Sequence, residues 1–324
     1  MFVHPVAREM EEWWREHGAS HDDPAWLAYI NDLSGLLATK FVELTSEHVN
    51  VGEGGEKRFG MSGAGSCTRK AVLKYLGFDK EPFSGSSLMT FHIGHLLECA
   101  AVATLRGCGY TVDGTQAAVR IDPYMHSYSD GILTGAPAAS QVPLPTILSV
   151  KTTGYKKSGM TRGKPVRMGF PALPFEGARK QQPSWWAQAQ AEMYGGGYGQ
   201  CLLVVVAKDI VQAMKADPYL MGPGGNGSLT FYAELIEIDE HFCANELAPI
   251  WGQAWDAATD GRGGVPFVFN PDAGKFVRRT KPGDTASGWG GSNQQITGTF
   301  NPCFGCEVVE ACKAELARGY SRSA

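Results

Sequence analysis

Two short β-rich stretches decide the fold: YSDGILT at residues 128–134 and TILSVKTT at residues 146–153. Both are rich in residues that favour strands, and a turn region of Pro, Ala and Ser separates them. If the two strands are adjacent, the carboxylate of Asp130 and the ammonium of Lys151 meet at one end of a sheet. The pair is therefore a candidate site for chemistry that needs a carboxylate and a cation.

Helical and strand patterns flank these two stretches on both sides. Helices are predicted at residues 5–18, 24–44, 66–77, 88–107, 183–195 and 240–258. Further strands are predicted at residues 110–113, 117–121, 201–207 and 229–238. Glycine and proline predict loops or irregular structure at residues 49–59, 154–181 and 259–300. This order of elements indicates an α/β core with a mixed central sheet flanked by helices.

The composition is that of an ordinary folded protein. Hydrophobic residues make up 43% and charged residues 19%, which excludes a disordered or fibrous chain. The net charge of −4 means that any contact with nucleic acid must come from local basic patches. No apolar stretch approaches the roughly 20 residues that span a bilayer, and the N-terminus lacks a signal-peptide layout. We therefore expect a cytoplasmic protein whose cysteines are thiols or metal ligands.

Three cysteines near the end of the sequence have the spacing of a metal or cluster site. Cys303, Cys306 and Cys312 form the pattern C-x2-C-x5-C. A soft-metal site usually takes four thiolates, and Cys67 is the best fourth candidate because two basic residues follow it closely. The other cysteines fall in apolar patterns, where a buried thiol is the usual reading. Spacing alone allows zinc, an iron–sulfur cluster or a chance group of thiols, so a zinc or redox protein stays open.

Two predicted helices carry further polar residues that suit the same chemistry. The helix before the two strands contains Glu98, and the helix after them contains Gln190, Glu192 and Tyr194. Gln190 and Tyr194 are four residues apart and share a helix face. Each residue alone is most simply a solvated or buried side chain. Metal-dependent phosphodiester cleavage, however, needs carboxylates that hold Mg²⁺ or Mn²⁺ and a cation near the attacking water.

The order of these pieces resembles the RecB-type exonucleases with a cluster, a family of the PD-(D/E)xK nuclease superfamily. The pieces are a Cys-x-Arg-Lys start, a G-x-x-x-E helix, Asp-Gly on one strand, x-x-Lys-Thr on the next, a Q-x-x-x-Y helix and the terminal C-x2-C-x5-C. The family includes CRISPR-associated exonucleases, the AddB nuclease domain and phage relatives. The resemblance covers roughly residues 61–315, and its most specific parts are the terminal cysteine spacing and Q-x-x-x-Y.

The resemblance implies a domain plan and an activity. Residues 1–60 would be an N-terminal helical extension, 61–300 a restriction-endonuclease-like core and 301–324 a cluster-binding segment. The activity would be that of a Mg²⁺- or Mn²⁺-dependent deoxyribonuclease, an exonuclease that prefers single-stranded ends. Phage recombination, DNA repair and CRISPR-type DNA processing all suit it, with DNA and a helicase, recombinase or annealing protein as partners. The extra N-terminal helices favour a phage or mobile-element nuclease in the bacterial or phage-infected cytoplasm.

The resemblance also implies a role for each matching residue. Glu98 and Asp130 would be metal ligands, while Lys151 would orient the water and offset developing negative charge. Gln190 and Tyr194 would position the DNA strand and the lysine. A [4Fe–4S] cluster would act mainly as a staple between the chain ends. Its ligands would be Cys67, Cys303, Cys306 and Cys312.

Ser149 departs from the family pattern, which has an acidic residue two positions before the lysine. Serine is a poor ligand for a hard cation, so one expected carboxylate is missing. In one hypothesis the site is degenerate, and the protein is a DNA-binding or scaffold module. In the other, which we favour, the carboxylate has moved to another element, with Glu192 as the leading candidate metal ligand.

Basic residues collect between the second of the two strands and the helix that follows it. Basic groups track phosphates, and exposed aromatic rings stack on the bases of a single strand. The alternative is a solvated loop beside core tryptophans, which for the tryptophans is at least as good an interpretation. The candidate DNA contacts are Lys156, Lys157, Arg162, Lys164, Arg167, Arg179, Lys180 and Trp185.

Overall fold

The computed structural model describes residues 4–18, 22–45, 57–77, 85–153, 159–161, 164–166, 170, 173–208, 230–259, 267–270 and 275–278. These residues form a mixed α/β fold in which helices cover both faces of a five-stranded central sheet. The predicted fold class, a mixed central sheet flanked by helices, is therefore confirmed.

Most of the helices have bounds close to those that the sequence predicts; the helix Leu173–Gln181 was not predicted, and the helix predicted at residues 240–258 is divided by a π-helical turn. They are α1 (Val6–His17), α2 (Pro24–Thr45), α3 (Thr68–Tyr75), α4 (Gly85–Gly107), α5 (Leu173–Gln181), α6 (Pro183–Gly196), α7 (Glu240–Phe242) and α8 (Ala248–Thr259). A 3-10 turn occupies Met61–Gly63, and a π-helical turn at Cys243–Leu247 joins α7 to α8. Helix α6 begins at a proline that fits the first helical turn and ends before Gly197, which adopts the left-handed conformation.

The strands form two main sheets and two hairpin-like pairs. They are β1 (Phe59–Gly60), β2 (Thr111–Asp113), β3 (Ala118–Ile121), β4 (Met125–Tyr128), β5 (Gly131–Gly135), β6 (Thr146–Thr153), β7 (Gly159–Thr161), β8 (Lys164–Val166), β9 (Gln200–Ala207), β10 (Phe231–Glu237), β11 (Phe267–Asn270) and β12 (Lys275–Arg278). The central sheet has the order β10-β9-β6-β5-β2, and a smaller sheet has the order β1-β4-β3. Strands β7 and β8 pair with each other, as do β11 and β12.

The centre of the main sheet consists of the parallel strands β6 and β9, and its other pairings are antiparallel. Because both faces are covered, β6 and β9 are apolar along most of their length. Ile147 packs into the core on the α6 side, whereas Leu148 and Val150 pack on the α4 side. By strand alternation, Ser149 and Lys151 belong to the same face as Ile147.

The stretch predicted as one strand at residues 128–134 is in fact two strands, which corrects the sequence-based boundary. Strand β4 ends at Tyr128 in the small sheet, and β5 begins at Gly131 in the central sheet. Between them, the backbone of Ser129 bonds to Gln116 and Ala117. Asp130 therefore lies at the junction where the chain passes from one sheet to the other.

Regular structure also occurs in two regions that the sequence predicts as irregular. Helix α5 lies within the loop predicted at residues 154–181 and is kinked at Gly177, whose φ is 74°. Strands β11 and β12 lie within the stretch 259–300. Glycine and proline content indicated turns there but gave no information on short elements stabilised by tertiary packing.

One helical segment in the described ranges, Leu88–Gly107, is long and apolar enough to cross a membrane by length and composition, with a mean hydropathy of 1.4. This corrects the expectation that no apolar stretch approaches such a length. A core helix passes the same test, and Val102 and Leu105 of this segment are buried against the central sheet. The N-terminal half exposes Met89 and Phe91.

Helix α2 packs along α4 in the opposite direction. Asp32 of α2 pairs with Arg106 of α4 at 2.6 Å, and Lys40 of α2 pairs with Glu98 of α4 at 2.7 Å. An aromatic cluster that includes Trp13 and Tyr29 fills the space between these helices and α1. The N-terminal helices thereby place one face of α2 beside Glu98.

Candidate active site

Asp130 directly precedes β5, and its side chain meets that of Lys151 on the neighbouring strand β6. Oδ2 of Asp130 lies 3.8 Å from Nζ of Lys151 and accepts a 2.6 Å hydrogen bond from the backbone N–H of Val150. The side chains are 16% and 18% exposed, so both are largely desolvated. The structure thus brings together the two groups that the strand prediction placed side by side.

The charges around this pair form one coupled electrostatic group. Burial raises the pKa of Asp130 to about 7; Lys151 opposes this rise, while Glu98 and Glu192 reinforce it. For Lys151, burial alone would lower the pKa, but Asp130, Glu192 and Glu98 together raise it above its ordinary value. Three carboxylates from three different elements therefore act on a single buried ammonium.

Glu98 of α4 is held by two basic side chains. Lys40 Nζ lies 2.7 Å from Oε1, and His95 Nδ1 lies 3.5 Å from Oε2. Burial alone would raise the pKa of Glu98, but the contacts with His95 and Lys40 outweigh burial and lower it. Glu98 is therefore an anion across the physiological pH range.

Glu192 of α6 is held by two neutral donors instead. Ser127 Oγ donates to Oε1 at 3.0 Å, and Gln188 Nε2 donates to the same oxygen at 2.7 Å. Burial raises the pKa of Glu192, and Lys151 and the two donors offset only part of that rise. Glu192 reaches the site from the opposite face of the sheet from Glu98, because α6 and α4 pack on different faces.

Gln190 and Tyr194 occupy different environments on the same helix. Gln190 is fully buried: its Nε2 donates to the carbonyl of Glu237 at 2.9 Å, and its Oε1 accepts from the N–H of Asp239 at 2.6 Å. These bonds fix α6 to the segment that follows β10. Tyr194 is 39% exposed. The roles that the Q-x-x-x-Y motif implies for both residues stay predictions.

A polar cavity of about 400 Å³ opens onto the site between α2 and α4. Asp130 and Glu98 line it together with Lys40, and the turn at residues 115–116 closes one side. Ser149 is not among the residues that line this cavity; it is 1% exposed, and its hydroxyl oxygen has no hydrogen-bond partner among the described residues.

The donor chemistry of the site fits a hard divalent cation, but the side-chain orientations do not. Carboxylate oxygens are the ligands that Mg²⁺ and Mn²⁺ prefer, and the carboxylates of Asp130, Glu192 and Glu98 all act electrostatically on Lys151. However, in the part of the chain that the structure describes, no group of three or more His, Cys, Asp or Glu residues is placed to hold a metal ion. Glu98 is turned to Lys40, and Glu192 is turned to Ser127 and Gln188.

Several predicted site residues lie outside the described residues. They are Cys303, Cys306, Cys312, Lys156, Lys157, Arg162 and Arg167. Lys164 is the first residue of β8. Cys67 is buried at the residue preceding α3. The cluster and the basic loop therefore stay predictions.

The remaining candidate DNA contacts lie on α5 and α6. The Arg179 guanidinium is 4.3 Å from the centre of the Trp186 ring and 3.8 Å from an oxygen of Asp239. Lys180 is exposed and pairs with Glu176 at 3.4 Å. Trp185 packs partly buried against the core, which favours the interpretation of this tryptophan as a core residue.

Sequence reasoning missed Lys40. It lies 58 residues before Glu98 in the predicted N-terminal extension, outside the stretch that carries the family resemblance. A lysine in an amphipathic helix is ordinarily a solvated residue. Only the antiparallel packing of α2 on α4 brings it to the site.

Comparisons with known proteins add structural likenesses only. No protein-family model matches the chain, and no curated protein matches its sequence. Among solved structures, it is similar to an alkaline exonuclease (LHK-Exo) from Laribacter hongkongensis, with 12% identity, a TM-score of 0.40 and coverage of 63% of this chain and 89% of that one. For the complex of LHK-Exo with dAMP, the identity is 13% and the TM-score 0.33, with coverage of 62% of this chain and 88% of that one. For the structure of SSO0001, the identity is 13% and the TM-score 0.34, with coverage of 71% of this chain and 86% of that one.

Proposed function

We propose that this protein is a metal-dependent DNA exonuclease of the PD-(D/E)xK type that acts on single-stranded ends. The observation that carries the proposal is the buried Asp130–Lys151 pair, 3.8 Å apart, with two further carboxylates acting on it. Such a group is costly to bury without a function, because three carboxylates are desolvated with only two lysines, Lys151 and Lys40, to offset them. A hard cation would neutralise the excess negative charge.

The residues of the site have separable tasks in this proposal. Asp130 and Glu98 would hold Mg²⁺ or Mn²⁺, with Glu192 as a third donor in place of the acid that Ser149 lacks. When bound, the cation would supply positive charge to the scissile phosphate. Lys151 would donate a hydrogen bond to the attacking water and offset the negative charge that develops on the phosphate oxygens. The buried position of its ammonium strengthens both interactions.

The strand of DNA would enter through the polar cavity beside α2. The basic loop with Lys156, Lys157, Arg162, Lys164 and Arg167 would follow the phosphates, and Arg179 and Lys180 would extend this path. The enzyme would act in the cytoplasm, in phage recombination or DNA repair, beside a helicase, recombinase or annealing protein. These finer assignments rest on the family resemblance and on the placement of basic residues.

A [4Fe–4S] cluster on Cys67, Cys303, Cys306 and Cys312 is part of the same proposal. The C-x2-C-x5-C spacing supports it, as does the position of Cys67 ahead of α3. Purified protein should show broad visible absorbance with iron and sulfide in cluster ratio. A Cys67→Ala variant should lose this absorbance, whereas Cys108→Ala, which removes a thiol from a different apolar environment, should retain it. Colourless protein with bound zinc would contradict the cluster.

A second function, a catalytically silent DNA-binding or scaffold module, is favoured by Ser149 alone. Ser149 stands where the family pattern has an acidic residue, and its buried hydroxyl has no hydrogen-bond partner in the part of the chain that the structure describes. In that case the protein would bind single-stranded DNA and leave it intact in the presence of any divalent cation.

An end-labelled single-stranded DNA, incubated with cluster-replete protein and Mn²⁺, separates the two functions. We expect shortening of the labelled strand with Mn²⁺, no shortening with a chelator, and at least a hundredfold slower cutting by Asp130→Asn. Lys74→Met, which removes a lysine from α3, should cut like the native protein. DNA binding without any Mn²⁺-dependent product would contradict the enzyme and leave the binding module.

A further inference from the structure

Lys40 comes from α2, outside the stretch that carries the family resemblance, yet its ammonium lies inside the candidate active site. Nζ is 2.7 Å from Oε1 of Glu98, and the two side chains are only 13% and 16% exposed. His95 approaches the other oxygen of Glu98 at 3.5 Å. Both oxygens of Glu98 therefore face groups that are, or can become, positively charged.

The second ion pair between the same two helices provides an internal comparison. Asp32 and Arg106 lie eight residues away from Lys40 and Glu98 on their helices, and they also pair closely, at 2.6 Å. Arg106 additionally donates to the carbonyl of Val112 at 2.8 Å, which fits a structural link between helix and sheet. Both pairs line the cavity that also contains Asp130, but the side chains of Lys40 and Glu98 are about half as exposed as those of Asp32 and Arg106.

A lysine and a divalent cation compete for one carboxylate. Each neutralises the same charge, and the oxygen that accepts the ammonium hydrogen bond is not available at full strength to a metal ion. Glu98 is turned to Lys40, and among the described residues no group of three or more His, Cys, Asp or Glu residues is placed to hold a metal ion. A cation that binds Glu98 in the cavity shared with Asp130 must therefore compete with the ammonium on α2.

We propose that Lys40 is a built-in counter-cation for Glu98, which the divalent ion displaces and whose freed ammonium then contacts the phosphate of the bound DNA. The proposal rests on the proposed function, since it requires that Glu98 binds the catalytic metal. Lys40 is a positioning residue in this account. Its stem also lines an apolar cavity of about 220 Å³ between α2 and α4, so the ammonium can withdraw while the stem stays packed.

The first test measures Mn²⁺ binding to the full-length protein by titration calorimetry, without DNA. We expect Lys40→Met to bind Mn²⁺ at least about tenfold more tightly than the native protein, because the competing cation is gone. Lys74→Met, which removes a lysine of α3 that does not line this cavity, should leave the Mn²⁺ affinity unchanged. If Lys40 were only a structural link between α2 and α4, Lys40→Met would bind Mn²⁺ no more tightly than the native protein.

The second test needs no variant and therefore does not depend on the folding of Lys40→Met. Reductive methylation followed by mass spectrometry reports the accessibility of each lysine in the native protein. Lys40 should be protected without metal and become readily labelled when Mn²⁺ is added. Equal labelling of Lys40 with and without Mn²⁺ would overturn the displacement.

Activity then gives a signature that a structural role would not produce. Lys40→Met should bind Mn²⁺ more tightly than the native protein and yet cut single-stranded DNA at least roughly tenfold more slowly, since the phosphate contact is lost. Native protein that binds Mn²⁺, with a folded Lys40→Met that binds it equally or more weakly, would overturn this inference and leave the proposed function intact. Absence of Mn²⁺ binding to the native protein and to Lys40→Met would overturn both.

Discussion

Glu98 and Glu192 act electrostatically on the same buried lysine, Lys151, from helices on opposite faces of the central sheet. The groups that surround the two carboxylates differ in charge. Glu98 is held by Lys40 and His95, and its pKa is lowered despite burial. Glu192 is held by the neutral donors Ser127 and Gln188, and burial raises its pKa. The same side chain is thus stabilised as an anion on one face and destabilised on the other.

The opposite pKa shifts of these two buried glutamates show that burial alone does not decide which carboxylate carries charge. A cationic partner offsets desolvation, whereas neutral hydrogen-bond donors do so only partly. On the α4 side the charge is already compensated, so a metal ion must displace a lysine. On the α6 side the charge is undercompensated, so an arriving cation gains its full attraction. Glu98 and Glu192 are therefore expected to respond differently to the same change.

The largest expected effect comes from removing the cation that both glutamates act on. Lys151→Met should slow cutting of single-stranded DNA about a thousandfold, because its hydrogen bond to the attacking water and its charge beside the reacting phosphate are both lost. The fold should persist, since Asp130 can take up a proton when its partner is gone. Circular dichroism checks the fold. Cutting at the native rate would refute the assignment of Lys151.

Both glutamates raise the pKa of Asp130, so the stability of the protein should depend on the ionisation of this aspartate. The pKa in the fold is about 7, against an ordinary value of 3.8, so the folded protein retains a proton that the unfolded chain releases. Native stability contributed by this group is therefore lost as pH rises from about 4 to 7. At pH 8, Asp130→Asn should be more stable than the native protein by about 4 kcal/mol at most, and should therefore melt at a higher temperature.

The control for this prediction is the same comparison at low pH. At pH 4, where Asp130 is protonated in the fold, the difference in melting temperature between Asp130→Asn and the native protein should nearly vanish. A stability difference that is constant from pH 4 to pH 8 would mean that the pKa of Asp130 is the same in the folded and unfolded protein, and would contradict the coupling with Glu98 and Glu192.

Replacing each glutamate in turn by glutamine tests whether the two carboxylates differ in their effect on stability. Glu98→Gln should destabilise the protein by about 2 kcal/mol, because Lys40 loses its charged partner. Glu192→Gln should stabilise it by roughly 1 kcal/mol at pH 8, since glutamine can still accept from Ser127 and Gln188 without a buried charge. Urea unfolding measures both. Shifts of the same sign would show that the two sides of the site are alike.

The smallest effect is expected at Ser149, on the strand between the two helices. Its hydroxyl is buried without a hydrogen-bond partner among the described residues, so Ser149→Ala should leave stability unchanged or raise it by less than about 1 kcal/mol. Cutting should also persist, because the carboxylates and not the hydroxyl are the proposed ligands. A large loss of cutting in Ser149→Ala would place the hydroxyl among the ligands instead.

The strands that carry the site could be predicted because their signals are local. The apolar run of β6 matches its predicted bounds, residues 146–153, and α6 and β9 match to within a residue. The break at Asp130 could not be predicted, because it depends on backbone pairing of Ser129 with a distant turn. Periodicity does not report which of two sheets a strand joins.

The candidate site was predicted only where its residues follow a motif. Asp130 and Lys151 were found because neighbouring strands bring them together. Lys40 was missed because its position depends on helix–helix packing over 58 residues, which no local pattern encodes. Gln190 was predicted for its motif, yet its amide is used to fix α6 to the segment after β10.

The most direct test of the central claim is the location of a bound Mn²⁺ ion by anomalous X-ray diffraction from crystals of the full-length protein. We expect a peak about 2.2 Å from an oxygen of Asp130, with Glu98 turned from Lys40 toward the ion and Lys151 beside it. A peak remote from Asp130, or no peak although the protein binds Mn²⁺ in solution, would contradict the proposed metal site.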